Sequence, residues 1–124
     1  MRWIAAVVGG FVAWWVVAQL GDFALRALLP GYADLEQAML FTLGMQAGRL
    51  IVGALASLVA GWISALIARS GRAAWALALA LVLLFIPVHY QLWDRFPVWY
   101  HLVFIASLIV LTPTGAALVR RRSA

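Results

Sequence analysis

From Leu35 to Ala68 the chain reads LEQAMLFTLGMQAGRLIVGALASLVAGWISALIA, and beyond Glu36 the one charge in it is Arg49. Crossing a bilayer takes ~20 mostly apolar residues, so this run is read as a membrane-spanning helix. At 1.5 Å per residue it makes a helix of about 50 Å, against a hydrocarbon core of ~30 Å, so it must tilt or protrude. Its two faces differ. Thr42, Gln46, Arg49, Gly53, Ser57, Gly61 and Ser64 share one stripe at the helical repeat. Ile51, Leu55, Leu58, Val59, Trp62 and Leu66 lie opposite. Among lipid-embedded helices the small and polar side is the packed side, because backbones approach closely there and polar groups find partners. Gly53, Ser57 and Gly61 are therefore the expected helix-packing stripe. Gly44 and Gly48 form a GxxxG on a neighbouring face, a common and weak signal.

Three further segments have the same character: residues 3–20, 73–90 and 99–119. The reading is a single all-α domain over residues 1–124, an integral membrane bundle of four transmembrane helices (3–20, 35–68, 73–90, 99–119). Composition agrees. Of 124 residues 67% are hydrophobic and 10% charged, and the mean hydropathy is +1.03. A soluble domain is nearer half apolar and a quarter charged, so a chain this small has no way to hide its apolar surface from water. Span one offers Ala5, Gly9 and Ala13 as a small-residue face. Its start also has the form of a secretory leader, with Arg2 ahead of an apolar core. Three later spans make a retained first helix the simpler reading.

The connections follow from local chemistry. Gly21 to Leu29 reads as a short interfacial helix capped by Asp22, and Pro30-Gly31 as a turn. Asp34 with Gln37 resembles a capping box opening the second span. Arg2, Arg69, Arg72 and Arg120 to Arg122 share one side of an even-numbered bundle. The other side has Arg26 and Arg95, offset by Asp22, Asp34, Glu36 and Asp94. The positive-inside rule then puts both termini in the cytoplasm.

The polar residues of the spans fall at one depth, towards the outer side. Gln19, Asp22, Gln46, Arg49, His89, Asp94 and His101 form an expected outer polar cluster, because polar groups in apolar surroundings must satisfy one another. Arg49 is the ionisable residue well inside a span, and its expected partner is Asp22 or Asp94. The alternative is snorkelling to the headgroups. Two histidines on adjacent helices at one depth also have the makings of a haem ligand pair. The short connection between His89 and His101 instead sets the rings side by side, so no haem, no metal and no other cofactor is expected. Pro87 and Pro113 are expected to kink the third and fourth spans.

Function is less legible. The basic residues form no stripe, so no nucleic-acid partner is expected. There is no cysteine, which removes disulfides and thiolate chemistry. No catalytic motif occurs, so the chain is not read as an enzyme. The stretch from Val88 to His101, VHYQLWDRFPVWYH, with Gly21-Asp22-Phe23 and Phe41-Thr42-Leu43-Gly44, resembles uncharacterised small four-helix proteins of proteobacterial inner membranes. That resemblance implies a multi-pass protein of a bacterial inner membrane and carries no activity. Three function classes stay open. One is a non-catalytic accessory or assembly subunit of a membrane complex. It would meet the lipid bilayer and, through its small-residue stripes, a larger membrane protein or a second copy. The second handles a small molecule, lipid or ion at the outer polar cluster. The third is a redox subunit holding haem or quinone at the histidines.

Overall fold

A computed structural model describes the backbone of residues 2–123 and the side chains of residues 2–119. Among these residues the chain is helical, with α1 (Arg2–Leu28), α2 (Tyr32–Gln37), α3 (Leu43–Ala68), α4 (Arg72–Gln91) and α5 (Val98–Ser123). The four long helices are each long and apolar enough to cross a membrane, with mean hydropathies of 1.8, 2.3, 2.0 and 2.3. They alternate in direction. Gly9 meets Ile67 and Gly48 meets Leu25, so α1 and α3 run antiparallel. Gly53 meets Phe104 and Gly61 meets Thr112, so α3 and α5 run parallel. Helix α3 is the centre of the bundle, packed chiefly on α1 and α5, while α1 and α4 touch more lightly. The end reached by the α1–α3 and α4–α5 connections, away from both termini, is called the distal end below.

Two boundaries differ from the sequence reading. Helix α1 does not stop at Leu20; it runs unbroken to Leu28, and there is no separate interfacial helix capped by Asp22. Gly21 supplies close approach instead of a break: a Cβ there would lie 2.4 Å from a Val52 methyl. The Asp22 carboxylate is engaged by side chains, and the turn comes later, at Gly31 with φ 78°. Nor does the second long helix begin at Leu35. Asp34 and Gln37 belong to the short α2, and the chain breaks at Met39, which adopts φ 57°. Helix α3 then starts at Leu43, where the Thr42 hydroxyl accepts a hydrogen bond from the Met45 amide at 3.2 Å. The break allows Phe41 to fold back against Phe96, ring centroids 5.2 Å apart.

The core is thin and its close crossings are made by glycine. A Cβ on Gly61 would lie 1.8 Å from the Thr112 carbonyl oxygen, and one on Gly115 would lie 2.0 Å from that of Leu58. These two contacts lock α3 against α5 backbone to backbone. Gln46, Gly53, Ser57, Gly61 and Ser64 of the expected stripe are buried, and Ile51, Leu55 and Leu66 are exposed. On α1 the buried face is Ala6, Gly10 and Trp14, one residue on from the expected Ala5, Gly9 and Ala13. Trp14 explains the rotation. Its ring packs beside Phe85 and Phe104, and its Nε1–H donates to Ser57 Oγ at 3.1 Å.

Candidate functional site

The polar residues meet at the distal end, centred on Arg49 in the second turn of α3. Its Nη1 donates to the Tyr32 hydroxyl at 2.9 Å, and Tyr32 passes the chain on to Asp22 Oδ1 at 3.2 Å. Its Nε donates to the Tyr100 hydroxyl at 3.3 Å. The carboxylates of Glu36 and Asp22 stand 3.6 and 3.8 Å from Nη1, and Phe41 covers the guanidinium face at 4.6 Å. Arg26, half exposed, closes the network from outside at 2.7 Å to Glu36 and 2.9 Å to Asp22. Two arginines thus balance two carboxylates. Burial is the first influence on the Tyr32 phenol and pushes its pKa up, while the hydrogen bond from Arg49 pulls the other way.

The histidines form a second group beside the first. His89 Nδ1 and His101 Nδ1 lie 2.6 Å apart, and His101 Nε2 donates to the Trp93 carbonyl at 3.3 Å. Both rings are buried, with Trp93 stacked on His101 and Phe104 tilted against His89. Rings bonded to each other leave no width for a macrocycle between them, so the pair does not fit axial ligation of haem.

A cavity of about 270 Å³ joins the two groups. Its distal end is polar, with Asp22, Glu36, Arg49, Tyr100 and His89; its deeper walls are Trp14, Ala18, Val52, Gly53, Phe85 and Phe104. The exposed residues in its lining, Gln19 and Val88, belong to α1 and α4, so its mouth lies between these two loosely packed helices. Such a space, apolar in body with a few convergent polar groups at one end, is the usual form of a small-molecule site.

Of the expected cluster, Gln19, Asp22, Arg49 and His89 line this cavity. His101 stands behind His89. Gln46 is buried but turns back to the Phe41 carbonyl at 3.4 Å. Asp94 is exposed in the α4–α5 connection, and Arg49 pairs with Asp22 and Glu36 rather than with it. Sequence reasoning missed Tyr32, Glu36 and Tyr100. For Tyr100 a signal existed: Phe96, Tyr100, Phe104 and Leu108 recur at four-residue steps, the mark of one inward helix face. Tyr32 and Glu36 carried none, because they reach Arg49 only through the backbone break at Met39.

No protein-family model, curated protein or solved structure matches this chain. What is defined is a class: a small helical bundle of four apolar helices with a charge-balanced, aromatic-walled cavity at its distal end.

Proposed function

We propose that this chain is a multi-pass protein of the bacterial inner membrane, with both termini cytoplasmic, that binds a small amphiphilic molecule in its outer-facing cavity. The observation that carries the reading is the cavity itself, polar at Arg49 and His89, aromatic below, with its mouth between α1 and α4. A lipophilic molecule dissolved in the bilayer would enter sideways there past Val88, polar head first. The arginine asymmetry supports the orientation: Arg2, Arg69 and Arg72 lie at the end opposite the cavity. Assembly with a larger membrane protein is the weaker reading. Of the small-residue faces on which it rested, the stripe of Gly53, Ser57 and Gly61 lies inside this chain, against its own α1 and α5.

The test is chemical identification of what the protein carries. Protein purified from its membrane in mild detergent is extracted and the extract compared by mass spectrometry with that of Ala18→Trp, whose indole fills the cavity. A lipophilic compound retained near stoichiometrically by the natural protein and lost from the variant is expected. Identical extracts would refute the proposal.

A further inference from the structure

The hydrogen-bond relay beside the cavity fixes what the cavity offers its ligand. A carbonyl oxygen only accepts, so the contact to Trp93 puts the proton of His101 on Nε2. In the neutral pair, His101 Nδ1 is then a bare lone pair, and the 2.6 Å contact makes His89 Nδ1 the donor. His89 Nε2 follows as a bare lone pair. No residue described in the structure donates to it, although the ring is only 8% exposed and lines the cavity. An acceptor open to the cavity is thus left for a ligand donor to fill, whereas the fully buried side-chain atoms without a partner, among the described residues, are Ser64 Oγ and Thr112 Oγ1.

Charge narrows the choice further. Arg26 and Arg49 already balance Asp22 and Glu36, so an ionised head finds no unmatched counter-charge. An anion would also face the lone pair of His89. The walls narrow it again: Trp14, Phe85 and Phe104 pack on one another at ring-centroid distances of 4.8, 6.3 and 5.0 Å and together give the cavity an aromatic wall, against which a ring can lie. As to size, a dry cavity of about 150 Å³ holds one benzene. The space of about 270 Å³ here therefore holds one substituted ring and little more.

We propose that the cavity selects a neutral single-ring hydroxyarene, a phenol or hydroquinone head, whose O–H donates to His89 Nε2 while its ring lies against Trp14, Phe85 and Phe104. This rests on the cavity reading above and adds the chemistry of the head. The Tyr100 and Arg49 side chains at the same end hold the polar rim, and the apolar substituent leaves between α1 and α4.

The experiment compares three probes of nearly equal size: 4-butylphenol, 4-butylanisole and butylbenzene. Each is titrated by calorimetry into detergent-solubilised protein, with Ala18→Trp as the background for partition into detergent. Histidine ¹⁵N spectra are recorded alongside, which the presence of only two histidines makes assignable. The phenol is expected to bind about tenfold or more tightly than the anisole, the range set by loss of one buried hydrogen bond. The phenol should also shift His89 Nε2, which reads as unprotonated in the free protein, and His89→Phe should abolish the preference. Equal affinity for all three, still above the Ala18→Trp background, would overturn hydroxyl selection and leave an unselective amphiphile site. A proton found on His89 Nε2 in the free protein would also overturn it. Binding of none of the three above background would overturn the cavity reading together with this one.

Discussion

Replacing Gly61 by alanine adds one methyl group at the tightest crossing in the bundle. Its carbon would sit 1.8 Å from the Thr112 carbonyl oxygen, where ordinary contact begins at 3.4 Å. The obstacle is backbone, so no rotamer change relieves it. Helices α3 and α5 must part by about 1.6 Å, forfeiting dispersion contacts along the crossing, including the reciprocal contact of Gly115 with Leu58. Overpacking of this kind costs about 1–3 kcal/mol, and a backbone obstacle belongs at the upper end. Alanine returns up to ~1 kcal/mol through helix propensity. The expected net loss is about 2 kcal/mol. Gly44, in the first turn of the same helix, supplies the control, because a Cβ there meets nothing within 4 Å. Gly44→Ala should be neutral or slightly stabilising. Both variants are measured by reversible unfolding in mixed detergent and SDS, followed by tryptophan fluorescence. If Gly61→Ala is as stable as the natural protein, or if the two substitutions cost the same, the backbone-to-backbone packing of α3 on α5 is refuted.

Arg49→Ala is expected to lose about 2–3 kcal/mol in the same assay, since it strips Tyr32, Tyr100 and two carboxylates of a partly buried cation. Arg26→Ala, at a half-exposed position, should lose clearly less; equal losses would mean that Arg49 reaches the headgroups instead. Topology is read on the cysteine-free chain by impermeant maleimide on intact spheroplasts, with labelling of Asp94→Cys and none of Ser70→Cys expected; the opposite pattern inverts the orientation. The raised pKa of Tyr32 gives a pH dependence of defined sign. The folded state holds that proton more tightly, so its contribution is fully present below the unfolded pKa and is lost as pH rises through the folded value. Tyr32→Phe should flatten the alkaline fall in stability, and an unchanged fall would assign it elsewhere.

The long helices were legible because hydrophobic length is a strong signal, and the inward face of α3 because small and polar residues recur at the helical period. The face of α1 was misread by one position. Gly9 and Gly10 are equivalent by size, and what decides between them is a buried tryptophan with a hydroxyl to bond, Ser57, far off in sequence. Gly21 and Asp22 have the residue types of a helix break and a cap, yet serve packing and charge pairing within an unbroken helix. The site was half legible for the same reason. Depth along the spans brought Asp22, Arg49 and His89 together, but not Glu36 and Tyr32. They arrive by a local fold of the chain over residues 32–42 that composition does not encode.

The position of Arg49 along the chain also bears on biogenesis. Every charged group of its network, Asp22, Arg26 and Glu36, precedes it and leaves the ribosome first. On the membrane reading proposed above, the guanidinium therefore meets its counter-ions as α3 enters the bilayer, without waiting for later segments. The glycine crossings behave oppositely: Gly61 has its partner in Thr112, and Leu58 in Gly115, both on the last helix synthesised. Neutralisation and mechanical locking are thus separated in time by the synthesis of α4 and α5. Nascent chains should become resistant to alkaline extraction well before they resist protease, and simultaneous acquisition of both would contradict this order.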